Sequence, residues 1–219
     1  MKRNLIITED GSPSLHVPEL SESYHSKHGA IQESMHVYIQ TCLAQINKPA
    51  ISLFEVGFGT GLNAWLAYEY AKNYNITLDY HCIELFPLLD MEYQDIAQHI
   101  IQQENNQTFL RIHEAEWNHL VSISPFFNLH KIHQNMLDFS FDFYFDGCFF
   151  DAFSPSSQPE LWTNDIFDKI FQNMNPGGVL STYCAQGKVR RSLAEVGFTV
   201  ERLQGPPGKR EILRAQKIK

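Results

Sequence analysis

Long apolar runs are missing from this 219-residue sequence. None approaches the roughly 18–20 residues of a membrane span, and the opening "MKRNLIITEDG" has no signal-peptide core. Cysteine is scarce as well. Cys42, Cys82, Cys148 and Cys184 are scattered, with no C-x-x-C pair. That excludes a disulfide or zinc framework and reads as small buried hydrophobes in a reducing cytoplasm. The ten histidines, His130 and His133 among them, form no H-E-x-x-H and no cluster with cysteine, so no metal site is expected. No G-x-S-x-G elbow occurs, which leaves a hydrolase without a visible nucleophile. Asp138, Asp142 and Asp146 recur every four residues in "DFSFDFYFDG" but lack calcium-loop spacing, and are expected at the polar edge of a loop or strand. Internal repeats and low-complexity tracts are absent too.

What remains is an ordinary globular composition, 43% hydrophobic and 19% charged, on a chain long enough to bury a full core. It reads as one domain over 1–219, with residues 1–49 an extension packed onto it. The net charge of −8 argues against indiscriminate nucleic-acid binding, but it is unevenly spread: Lys188 to Lys219 holds nine Lys or Arg against three Glu. A basic end on an acidic body can meet a polyanion on one face.

Strand and helix patterns alternate. "AISLFEV" (50–56) predicts a strand, and the glycine turn after it leads into a helix with Leu62, Trp65, Leu66 and Tyr70 at helical spacing. "ITLDYHCIEL" (76–85) predicts a second strand and "LLDMEYQDIAQHII" a helix; "HKIHQNML" and "GCFFDAF" supply a third and a fourth strand. "WTNDIFDKIFQNM" follows as a helix, with Thr163 or Asn164 as N-cap; "NPGG" ends it and "VLSTYCA" is a fifth strand. After the helix "KVRRSLAEVGF", only "QGPPGK" separates "TVERL" from "REILRA", too short for a crossover, so these two must pair antiparallel. A parallel sheet covered on both faces and closed by such a hairpin resembles the S-adenosylmethionine-dependent methyltransferase fold.

The turn Glu55-Val56-Gly57-Phe58-Gly59-Thr60-Gly61 lets backbone approach a ligand closely, and the following helix offers unpaired N–H groups. Glu84 falls where a strand-end carboxylate can bridge ribose hydroxyls, and Glu55 where its charge can act indirectly on an ammonium. A pyrophosphate cofactor would be repelled by this acidity, whereas S-adenosylmethionine carries a ribose and an ammonium. Phe58 in the turn and Asn63 in the first helical turn join the expected cofactor set, and Asn135 and Met136 are expected beside adenine. In "CFFDAFSPSSQPELW", Asp151 sits at the mouth of an apolar strand, where burying a carboxylate is costly unless its charge is used. Facing a methyl donor, it can orient an amine and take its proton. Phe153 and Pro155 are expected to shape the wall beside a flipped base, and Lys188, Lys209 and Arg210, with Arg190 and Arg191, to contact phosphates.

Together "LFEVGFGTGLNAWL", "FFDAFSPSSQPELWT", "NPGGVLSTYCAQGKVRRSLAEVGF", "GPPGKREIL" and the opening "DGSPSLHVPELSESYHSKHGAIQESMHVYI" resemble the methyltransferase domain of the MnmC family, over nearly the whole chain. The resemblance implies a Rossmann-like class I fold with a mostly parallel, seven-stranded sheet. It also implies S-adenosyl-L-methionine as cofactor, and methylation of 5-aminomethyl-2-thiouridine at the tRNA wobble position to 5-methylaminomethyl-2-thiouridine. By the same resemblance Asp151 matches the family's active-site aspartate, and Glu55, Gly57, Gly59, Gly61 and Glu84 its cofactor residues. The flavin-dependent oxidase domain of two-domain members is not expected in these residues, so a separate enzyme is expected to supply the aminomethyl precursor. "DAFSP" near a glycine turn also resembles aminopropyltransferases of the spermidine synthase type. A third reading is a non-catalytic RNA-binding module, against which the intact acidic residues speak.

Overall fold

The computed structural model describes residues 1–100 and 106–218. A small antiparallel sheet comes first, made of β1 (Asn4–Ile7), β2 (Pro13–Val17) and β3 (Glu22–Ser23). The short helix α1 (Ala30–Ser34) then runs straight into a π-helical turn over Met35–Gln40. Strands and helices alternate after that: β4 (Ala50–Val56), α2 (Leu62–Tyr74), β5 (Thr77–Glu84), α3 (Asp90–His99) and α4 (Asn106–Glu114). A hairpin of β6 (Leu120–Ser124) and β7 (Phe127–His133) precedes β8 (Phe145–Phe150), α5 (Asn164–Asn173) and β9 (Met174–Thr182). The chain closes with α6 (Gly187–Glu195), β10 (Thr199–Gln204) and β11 (Glu211–Gln216).

The main sheet has eight strands in the order β10-β11-β9-β8-β4-β5-β7-β6. From β9 to β7 neighbours are parallel, whereas β10, β11 and β9 pair antiparallel, as the short "QGPPGK" connection requires. The count exceeds the expected seven because β6 adds an antiparallel edge to β7. Its sequence "LVSIS" is short and mostly uncovered, so it carries no strong apolar signal. The third parallel strand starts earlier than "HKIHQNML", and α4 was not foreseen. In the helix expected over "LLDMEYQDIAQHII", Ile101 lies outside the described residues.

β8 is buried along its whole length, as a central parallel strand between two covered faces must be. The two-residue period of β4 splits its side chains: Ile51 and Leu53 enter the core under α2, Phe54 and Val56 the core under α5 and α6. The same period explains "DFSFDFYFDG". Phe139, Phe141, Phe143 and Phe145 all pack on Phe54, with ring centroids 4.7–6.1 Å apart. Asp138 and Asp142 point to solvent, but Asp146 does not share their edge: it is buried. Its carboxylate accepts from Lys48 Nζ (2.7 Å), Ser52 N–H (3.0 Å) and Asn175 Nδ2 (2.8 Å), which holds it below the usual carboxylate range despite burial. All four cysteines are buried thiols. No helix among the described residues is long and apolar enough to cross a membrane.

Candidate active site

The carboxyl ends of β4, β5 and β8 open into one cavity of about 360 Å³, where ligands of open parallel sheets bind. Gly57 permits the closest approach in it. At φ +89° it lies so near β8 that a Cβ there would sit 2.7 Å from the Asp151 carbonyl oxygen. The Asp151 N–H donates to Val56 O (3.0 Å) and the Gly57 N–H to Ile83 O (3.0 Å), so three strand ends are laced together at the turn. Glu84, the last residue of β5, accepts the Gly59 N–H on Oε2 (3.0 Å) and the Phe86 N–H on Oε1 (2.8 Å). Each carboxylate oxygen has two lone pairs, so each keeps one for a ligand.

On the floor lies an array of side chains. The Asn63 amide nitrogen donates to both Asp151 Oδ2 (2.8 Å) and Glu55 Oε1 (2.9 Å), and Tyr80 Oη donates to Glu55 Oε2 (2.8 Å). Tyr38 Oη donates to Asp151 Oδ1 at 2.5 Å. Glu55 is fully buried, and burial pushes its carboxyl well above the usual range. It reaches the cavity only through Asn63. Burial also pushes Asp151 up, to about 7, against the lowering by its hydrogen bonds from Tyr38 and Asn63. A carboxyl that titrates near neutrality is suited to exchange a proton at working pH.

Residues before β4 form the roof. Arg3 ties them down, donating to Tyr24 Oη (2.9 Å), Glu92 Oε2 (2.8 Å) and Phe86 O (2.5 Å). The Tyr24 ring meets Phe153 edge-on at 5.1 Å. The Glu22 carboxylate takes donors from Ser154 and Ser157 in the turn after Asp151. Trp162 Nε1 donates back to Phe153 O (2.8 Å), which is why the D-A-F-x-P turn comes with a later tryptophan.

Of the expected residues, Gly57, Phe58, Gly59, Asn63 and Glu84 line the cavity, as do Asn135, Met136, Asp151 and Phe153. Glu55 and Gly61 stand behind the wall, and Pro155 caps the turn without lining the cavity. Lys188 and Arg210 lie on the exposed surface, with Arg190 and Arg191. Lys209 does not join them: it turns inward and pairs with the buried Glu33. Tyr38, Tyr24, Tyr183, Glu33 and Arg3 were not singled out from sequence. They come from loops, the five-residue α1 and the π-helical turn, too short or too irregular for periodicity to mark a side chain as inward.

The donor set fits a ligand with a vicinal diol at one end and an ammonium at the other. Glu84 presents free lone pairs to the first. For the second, Asn63 Oδ1 is buried without a hydrogen-bond partner, an acceptor left open in a wall that already holds Asp151.

Comparison with known proteins agrees. The model of a family described as S-adenosyl-L-methionine-dependent methyltransferase matches residues 98–218. The tRNA 5-methylaminomethyl-2-thiouridine biosynthesis bifunctional protein MnmC of Marinomonas sp. (strain MWYL1) is 29% identical over 222 residues, covering 93% of this chain and 32% of that protein. This chain thus spans about a third of the length of the curated MnmC relatives it matches. The crystal structure of MNMC2 from Aquifex aeolicus superposes with a TM-score of 0.78 at 25% identity, over 100% of this chain and 71% of that one. Spermidine synthase from Thermotoga maritima superposes with a TM-score of 0.65 over 99% of this chain and 69% of that one; at 10% identity it shares the fold alone.

Proposed function

On the premise that this chain belongs to the S-adenosyl-L-methionine-dependent methyltransferase family, we propose that it methylates the 5-aminomethyl nitrogen of (2-thio)uridine at the tRNA wobble position. Its cofactor is S-adenosyl-L-methionine, which supplies a methyl group on a sulfonium, electrophilic toward an amine lone pair. The observation that carries the reading is Asp151, a carboxylate on the cavity floor held by Tyr38 and Asn63, with burial pushing its carboxyl up to about 7. In its ionised form it accepts a hydrogen bond from the incoming amine, aims the lone pair, and takes the proton released as nitrogen gains a fourth bond. In the proposal Glu84 holds the ribose hydroxyls, Asn63 Oδ1 accepts from the cofactor ammonium, and Asn135 and Met136 flank the adenine. Phe153, edge-on to Tyr24, gives an extruded pyrimidine an apolar wall.

Aminopropyl transfer to a polyamine would need an open acidic wall. Two of the acidic groups here are already engaged: Glu33 by Lys209, Glu22 by the serines of the turn. Their engagement supports a single amine acceptor over a polycation. The deciding experiment supplies the purified protein with labelled S-adenosyl-L-methionine and tRNA carrying the unmethylated aminomethyl group. Label in the wobble nucleoside is the expected result; transfer to putrescine instead would replace the proposal.

The exposed Lys188, Arg190, Arg191 and Arg210 are proposed to meet phosphates of the anticodon arm. Replacing Lys188 and Arg210 together by alanine is expected to lower the slope of log affinity against log salt by about 1–2 and to leave cofactor affinity unchanged. An unaltered slope in a binding titration would remove these residues from the interface.

A further inference from the structure

Lys209 is built into the cavity from three directions. Its loop, between β10 and β11, is pinned at Gly208 (φ +83°), where a Cβ would lie 2.0 Å from the His28 ring, and at Gln204, whose carbonyl accepts from His36 Nε2 (2.8 Å). Its ammonium pairs with Glu33, 8% exposed in its side chain, whose other oxygen accepts the Ser26 N–H at 2.6 Å. The same ammonium stands 4.0 Å above the centre of the Tyr183 ring, and Tyr183 Oη donates to Ala152 O (2.9 Å), the residue after Asp151. Lys209 and Asp151 therefore share one wall of the cavity.

An ammonium has three N–H donors, and the ion pair with Glu33 leaves donors for a ligand. A cation that only met phosphates would have no need of a buried carboxylate or an aromatic seat. We propose that Lys209 reads an acceptor oxygen on the substrate ring, on the ring carbon next to the one that bears the aminomethyl group. The assignment rests on the methylation reading above and narrows it to a 5-aminomethyl pyrimidine with a carbonyl at ring position 4. Asp151 accepts from the amine and Lys209 donates to the carbonyl. A ring with an amino group at that position would set a donor against the ammonium and be rejected, because one buried polar group would go unpaired.

The test compares two anticodon stem-loop RNAs, bearing 5-aminomethyluridine or 5-aminomethylcytidine at the wobble position. Lys209→Met alone leaves Glu33 buried and unpaired, so it is accompanied by the double variant Lys209→Met, Glu33→Gln, with folding checked by thermal melting. The double variant is expected to lose about 10- to 100-fold in kcat/KM on the uridine RNA, chiefly through KM. Its rate on the cytidine RNA and its salt slope should match the wild type. Equal losses on both RNAs, or a salt slope lowered by about one, would overturn the assignment. Wild-type protein that methylates neither RNA would overturn the methylation reading itself, and this assignment with it.

Discussion

Asp151→Asn is expected to bind S-adenosyl-L-methionine nearly as the wild type does, yet to lose about 10²–10⁴-fold in methyl transfer, the range for a positioned acid–base group. Asparagine keeps the size and one acceptor oxygen, which can serve Tyr38 but no longer Asn63 as well. What it lacks is the negative charge. The groups around that charge are Tyr38, Asn63 and Tyr183, with Glu55 behind, and Glu33 paired to Lys209 in front. Burial raises the Asp151 carboxyl to about 7, the dominant effect on it. Only the ionised form can take a proton, so wild-type activity should fall as pH drops through about 7. The variant lacks that step. Its residual rate should climb at higher pH, as more substrate arrives as free amine, and the gap to wild type should narrow. A gap constant from pH 6 to 10 would assign Asp151 to positioning alone; full activity would deny it any role.

Glu84→Ala should weaken S-adenosyl-L-methionine binding by about 10²-fold or more. Two charge-assisted hydrogen bonds to the ribose are worth about 1.5–3 kcal/mol each. The same carboxylate also fastens the turn, through Gly59 N–H, and the loop beyond β5, through Phe86 N–H. Removing it frees those donors, so part of the loss will come from a loosened cradle. Glu84→Gln separates the contributions: its amide oxygen keeps one backbone donor, and its affinity should fall between the two. Calorimetry reads both variants. Unchanged affinity in Glu84→Ala, with the melting transition intact, would move the ribose elsewhere.

The parallel sheet was legible because its strands announce themselves twice, by apolar runs and by what punctuates them. β4 occupies the predicted 50–56, and the final hairpin follows from a connection too short to cross over. That Asp151 and Glu84 would line the cavity was legible for a related reason: both close parallel strands, and the carboxyl ends of such strands face the crevice of an open sheet. The roof was not. Its strands β1 and β3 are short, and Tyr38 turns toward Asp151 from a π-helical turn whose period no helical pattern matches. Lys209 misled most simply. In sequence it stands beside Arg210 in a basic turn, and Glu33 and the Tyr183 ring, both distant along the chain, draw it inward. Charge counted along a sequence gives sign and amount but no direction.

The roof has a consequence for synthesis on the ribosome. His36 bonds to a carbonyl 168 residues further on, and at about 5–20 residues per second that partner follows some 8–34 s later. For most of that interval Val37, Tyr38 and Ile39, which end fully enclosed, wait for the strands they rest on, β8 and β9, to emerge. This segment is therefore seated long after it is made, and the apolar stretch around Tyr38 is where a chaperone would find its longest-lived handle.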